Sequence, residues 1–231
     1  MLRRTFHQAT VGILCLAALR QAHALSLGDL SNADASSGLK AALGQGAQAA
    51  VALLGRTDGF LGNPQVRIAL PGSLEDAARL LRRFGQSKRI DELVTTINRA
   101  AEAAVPMGKD LLVSAVQAMT VTDARKILTG GDTSVTQFFA EKTRLPLGER
   151  FLPVVTQATE QVGLAQKYNA VASKASNFGL ISKEDANLSQ YVTGKTLDGL
   201  YLVIGEEEKK IRQNPLGSSS AIVQKVFGAL R

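Results

Sequence analysis

The sequence predicts an all-α fold, a single domain of packed short and medium helices with at most one short extended segment near residues 66–70. Three observations carry this. Apolar residues recur at helical spacing through most of the chain. Glycine and proline punctuate the periodic stretches where helices need to stop. Only "VRIALP" alternates apolar residues with others at the period of a strand, and no second stretch offers it a partner.

The first 24 residues stand apart from that fold. Arg3 and Arg4 give a positive start, Ala9 to Leu19 is an apolar run of 11 residues, and Ala22-His23-Ala24 is a small-x-small cleavage site, the pattern of a secretory signal peptide cut after Ala24. Arg20 closes the run well short of the roughly 20 apolar residues that a spanning helix needs. Leu14, directly before Cys15, does not suit a lipoprotein cleavage site. The paired arginines ahead of Phe6 leave general and twin-arginine export both open. The expected location is the periplasm, with residues 25–231 forming the domain.

Removing the leader narrows the chemistry. Of 231 residues, 207 remain, and the only cysteine, Cys15, leaves with both histidines, His7 and His23. Disulfides, thiolate nucleophiles, Ser-His-Asp triads and His or Cys metal sites are excluded from the exported form. No metal site and no cofactor is expected. Arg3, Arg4 and Arg20 also leave, so 24 basic residues face 20 acidic ones, a net charge of +4. That balance suits anionic envelope polymers or lipid headgroups and is too small to argue for nucleic acid.

The elements follow in order. "DASSGLKAALGQGAQAAVALLG" (residues 34–55) is an alanine-rich helix weakened by Gly44 and Gly46, and "RTDGFLGNP" is a turn. Ser73 with Asp76 spells an approximate capping box for a helix whose stripe is Leu74, Ala77, Leu81 and Phe84, ended by Gly85. A further helix runs from about Lys88 until Pro106 breaks or kinks it before "MGKDLLVSAVQAM". Thr120 or Thr122 caps a short helix with Asp123 in its first turn, where a negative charge favours the helix dipole. Gly130 or Gly131 is expected to supply a left-handed stop, and Asp132 or Thr133 to cap the next helix, on which Val135, Phe138 and Phe139 face inward. "LGERFLPVVTQATEQVG" and "LAQKYNAVASKA" read as separate amphipathic helices, and "SNFGLIS" as a connector. Ser182 with Asp185 opens a segment that stops at Pro215, and "SSSAIVQKVFGAL" forms the last helix with Ile222, Val223, Val226 and Phe227 inward.

Taken together, "DGF" with "VRIALP", "NRAAEAAVP", "AMTVTDARKILTGGDTSVTQFF", "YVTGKTLDGLY" and "GEEEKKIRQNP" resemble, in order and spacing, the bacterial family catalogued as domain of unknown function 4197. The resemblance runs from about Leu27 to Leu230. It implies an exported, mainly helical single domain and brings no established activity.

Chemical lookalikes are few. "TGKT" (Thr193 to Thr196) has the end of a phosphate-binding loop, but Ser189 stands where its first glycine belongs and no strand precedes it. "SGLK" (Ser37 to Lys40) has an acyl-transfer spacing without companion motifs, and a serine near a helix start is more simply a cap. The candidates for acid and base work are Glu102, Asp123, Asp198, Glu207 and Glu208. Against that role, Arg99 with Glu102, Lys195 with Asp198, Asn98 with Glu102 and Glu208 with Arg212 all have the spacing of local helix pairs.

The candidate ligand-binding cations are Arg79, Arg82, Arg83, Lys195 and Arg212. The first three belong to "RLLRRFGQSKR" and share a face opposite Leu81 and Phe84, suited to an anionic lipid or glycan surface, although Glu75, Asp76, Asp91 and Glu92 flank the run. The preferred function is a non-enzymatic module that binds an apolar or anionic envelope ligand, or a protein partner, in a groove between helices. A carboxylate-dependent hydrolase or lyase is the alternative, and a structural envelope scaffold the second. A buried carboxylate pair opening into a cleft would favour the enzyme, and an apolar cleft with locally paired charges would favour binding.

Overall fold

The computed structural model describes residues 32–131, 133–161, 186–217 and 220–228, and residues 163–177 in part. The leader, Asp132, most of "SNFGLIS" and the Ser182–Asp185 box lie outside the described residues. Eight α-helices have described bounds: α1 (Asn32–Leu54), α2 (Gly72–Arg83), α3 (Ser87–Ala104), α4 (Lys109–Gln117), α5 (Val121–Thr129), α6 (Ser134–Glu160), α7 (Leu188–Gln213) and α8 (Ala221–Gly228). There is no strand among the described residues. The all-α expectation holds.

Two long helices organise the core. α6 packs along α7 and α3, and α1 packs against α7, α8, α4 and α5. α1 continues through Gly44 and Gly46 and buries Leu39, Ala42, Leu43, Ala50 and Leu54. α6 continues through Pro146 and Pro153, so the helix expected to begin near "LGERF" is the second half of α6. Its buried residues Val135, Phe139, Thr143, Leu147, Phe151, Val155 and Thr159 fall at every fourth position. Four residues of a 3.6-residue helix overshoot one turn by about 40°, so the core stripe winds roughly 240° around α6 along this run. One helix thereby meets α5, α4, α3 and α7.

The extended segment is real and its partner is a helix. Val66, Ile68 and Leu70 point inward and Arg67 and Ala69 outward, as alternation predicts. The fully buried Asn98 of α3 accepts from the Ile68 N–H at 2.8 Å and donates to the Ile68 carbonyl at 2.9 Å. Its remaining donor reaches the Val94 carbonyl at 2.8 Å. Asn98 therefore does not pair with Glu102, contrary to expectation. One turn later, Glu102 Oε1 accepts from the N–H groups of Phe60 and Leu61 at 3.0 and 3.1 Å, fixing the turn that "DGF" begins. Asp58 there has φ 64°, and its carboxylate is held by Arg99 at 2.8 Å. The turn seats Phe60 against Gly199 of α7, where a Cβ would lie 3.0 Å from the Phe60 ring and 3.1 Å from Val66.

Several termini differ from expectation. No side chain caps α2: its N-cap is Pro71, and Asp76 pairs instead with Arg79. Gly85 follows the end of α2 as expected, with a left-handed φ of 78°. Phe84, assigned to the core stripe, is 79% exposed, because Leu74 and Ala78 form the inward face and Phe84 falls on the flank beside Leu80. Thr120, rather than Thr122, caps α5. Gly130 is extended at φ −79° and Gly131 has no positive φ, so neither is a left-handed stop. Thr133 occupies the N-cap of α6, but its side chain makes no capping bond. The corner still packs as expected, with Ala124, Ile127, Val135, Phe138 and Phe139 buried.

Candidate functional site

Among the described residues no two candidate carboxylates share a hydrogen-bond partner, although Glu207 and Glu208 adjoin on α7. Glu102 is buried by the turn it clamps and bonded to Arg99 at 2.6 Å. The Arg99 guanidinium, held first by Glu102 and then by Asp58, is pushed above its ordinary, always-charged range. Glu208 is buried against Arg212 at 2.6 Å, and that guanidinium lies 5.5 Å over the Phe227 ring. Glu207 pairs with Lys210. Asp123 completes a reciprocal cap, accepting from the Thr120 hydroxyl at 2.7 Å and its N–H at 3.0 Å while its own N–H donates to that hydroxyl. These bonds hold its carboxyl below the usual range, with smaller help from Lys142 and Lys126. Clefts of about 190 and 350 Å³ flank Asp123, and a single carboxylate oxygen, Oδ2, takes both bonds from Thr120. Lys40 of the "SGLK" spacing donates to the Gln117 carbonyl.

Asp198 and Lys195 alone among the candidates meet in an open site. A groove of about 530 Å³ runs between α6, which contributes Arg144, Leu145, Gly148 and Leu152, and α7, which contributes Gln190, Tyr191, Thr193, Gly194, Lys195 and Asp198. Arg144 bonds one Asp198 oxygen at 2.8 Å, and Lys195 lies 3.9 Å from the other. Two half-exposed cations thus share one carboxylate. Lys195 also sits 5.8 Å over the Tyr191 ring, a cation–π distance, and Tyr191 donates to the Ala69 carbonyl at 3.2 Å. Nothing lies within 4 Å of where a Cβ of Gly194 would stand, which leaves that wall open.

Hydroxyls line the seam between the two helices. Thr143 and Tyr201 meet at 3.0 Å, and Thr159 and Ser189 at 2.8 Å. Burial pushes the Tyr201 phenol above its usual range. Thr193 differs. Its hydroxyl is the one buried side-chain polar atom without a hydrogen-bond partner among the described residues. Thr196, three residues on, bonds the Val192 carbonyl at 2.7 Å, as helical threonines commonly do. An unpaired buried hydroxyl costs free energy, and this one belongs to a residue of the groove wall.

Arg144, Tyr191 and Thr193 were absent from the sequence candidates, since Arg144 is brought to Asp198 by a tertiary contact across 54 positions. A family model described as a protein of unknown function (DUF4197) matches residues 29–228. The chain belongs to this family. No curated protein and no solved structure matches it. Two segments the DUF4197 resemblance singled out have structural roles here: "NRAAEAAVP" supplies the Asn98 and Glu102 clamps, and "YVTGKTLDGLY" supplies the α7 wall of the groove. No His, Cys, Asp and Glu cluster able to hold a metal occurs among the described residues of this DUF4197 protein, and no described helix is long and apolar enough to cross a membrane.

Proposed function

We propose that this protein is an exported, periplasmic binding module whose α6–α7 groove takes an amphiphile with one anionic group. The observation that carries the reading is the sharing of Asp198 by Arg144 and Lys195, which leaves the groove one positive charge in excess. Leu145, 81% exposed, and Leu152 supply apolar wall beside those cations. A ligand anion would take the place Asp198 now holds on either cation, and its apolar body would lie along α6. The carboxylates support binding over hydrolysis, since the two buried ones, Glu102 and Glu208, are each paired with an arginine of their own helix rather than with one another. Export rests on the composition of the leader.

The test is calorimetric titration with laurate and with dodecanol, which share the apolar chain and differ in charge. Laurate is expected to bind more tightly than dodecanol, and Arg144→Ala and Lys195→Ala each to lower laurate affinity. Equal binding of both compounds, or variants that bind laurate unchanged, would overturn the reading. Mass spectrometry of the native protein tests export: a chain beginning at Leu25 is expected, and retention of Met1 to Ala24 would refute it.

A further inference from the structure

The corner joining α2 to α3 is a second surface, independent of the groove. Between Asp76 and Asp91 the chain carries five cations, Arg79, Arg82, Arg83, Lys88 and Arg89, and no acid. Arg79 pairs with Asp76, and Arg82 is held by Glu75 at 3.1 Å and Asp91 at 3.8 Å, tying α2 to α3. Lys88 stands 4.0 Å from Glu92 with 91% of its side chain exposed. Arg83 and Arg89 have no ion pair among the described residues.

Two apolar side chains stand in the midst of these cations. On a helical projection Arg83, Leu80 and Phe84 follow one another around the flank of α2, away from the inward Leu74 and Ala78. Leu80 is 57% exposed and Phe84 79% exposed. Phe84 is the last residue before the left-handed Gly85, so it sits at the tip of the helix–turn–helix, with Lys88 and Arg89 starting the next helix beyond it.

We infer that this corner docks on an anionic lipid bilayer, with Phe84 and Leu80 entering the interface and Arg83, Lys88 and Arg89 meeting the headgroups. Charge complementarity selects an anionic surface. Area selects a bilayer over a protein: two side chains of this kind offer at most roughly 150–250 Å² each, far below the about 800 Å² per partner of a stable protein interface. Interfacial anchoring asks only for a few apolar side chains at the boundary with basic residues beside them.

Co-sedimentation of the full chain with vesicles tests this. Binding is expected to vesicles of phosphatidylcholine with phosphatidylglycerol and to be at least ~tenfold weaker on pure phosphatidylcholine, given the electrostatic share. Leu80→Ser/Phe84→Ser and, separately, Arg83→Glu/Arg89→Glu are each expected to weaken binding by roughly tenfold or more. Both pairs lie on exposed surface, and circular dichroism checks that they remain folded. Arg144→Ala is expected to bind vesicles normally, which separates this corner from the groove. Any of three results would overturn the inference: no preference for phosphatidylglycerol, undiminished binding by the Leu80/Phe84 variant, or vesicle binding lost through Arg144→Ala alone. Capture of a soluble anionic polysaccharide with no dependence on Phe84, in place of vesicle binding, would overturn it as well.

Discussion

Asn98 does for Ile68 what a neighbouring strand would do: one side-chain amide takes both backbone hydrogen bonds of the residue, at 2.8 and 2.9 Å. A lone extended segment buried against helices leaves N–H and carbonyl groups that must find partners. Asn98→Ala should leave both Ile68 groups unsatisfied and destabilise the fold by about 2–5 kcal/mol, measured by chemical denaturation. Asn98→Asp should also destabilise, because a carboxylate has no proton to give the Ile68 carbonyl.

Two glycines of α7 should respond in opposite directions. Gly199→Ala places a methyl 3.0 Å from the Phe60 ring and 3.1 Å from Val66, and overpacking of about 1–3 kcal/mol outweighs the gain in helix propensity. Gly194→Ala meets nothing within 4 Å and should stabilise by roughly 0.5–1 kcal/mol. Thermal melts of the two variants give the signs directly.

Asp123 predicts a pH dependence. Its folded pKa is depressed, chiefly by the Thr120 hydroxyl and then by the Thr120 N–H. Its contribution is therefore present above the unfolded carboxyl pKa of about 3.9 and lost as pH falls below that through the folded value. Thr120→Ala should cost about 0.5–2 kcal/mol at neutral pH, and the gap from the parent should narrow on acidification through this window. Denaturation curves at several pH values check it, and a constant gap would show that the cap is not the cause.

Phe139 is fully buried where α6 begins to meet the core, and its ring meets Phe138 edge-on at 5.4 Å. Phe139→Ala should destabilise by roughly 3–5 kcal/mol. An effect below 1 kcal/mol, the level of a surface change, would contradict its place in the core.

In the groove, Asp198 is an internal competitor. Asp198→Asn should tighten laurate binding by freeing both Arg144 and Lys195, where an essential general base would instead abolish function. The same titrations decide between these outcomes.

Helices and their inward faces were legible wherever the apolar spacing stays in phase over a few turns, as in Val223, Val226 and Phe227 of α8 or Ala124 and Ile127 of α5. α6 was not legible as one helix. Its stripe advances by four residues and drifts around the axis, and Pro146 and Pro153 resemble boundaries although the helix passes through both. Phe84 misled for a related reason: an apolar residue ten positions after Leu74 fits helical spacing, and only the docking of α2 on α3 reveals that its flank faces solvent. Local pairs such as Arg99–Glu102 and Glu208–Arg212 followed from spacing. Arg144 on Asp198, and the missing bond of Thr193, come from tertiary packing and have no local signature.

The pairing of α1 with α7 and α8 has a kinetic consequence. Lys225 of α8 reaches Asp34 of α1 at 3.0 Å across 191 positions, and much of the α1 surface is covered by these last two helices. While the chain is being synthesised, α1 is made well before α7 and α8, although α4 and α5 reach it earlier. Contacts of such separation form slowly, since a long loop must close before they stabilise anything. The nascent chain therefore stays without its finished core until α7 and α8 emerge. Deleting α8 should leave the apolar side of α1 unsealed and expose the chain to chaperones and proteases, even though every residue of the groove would still be present.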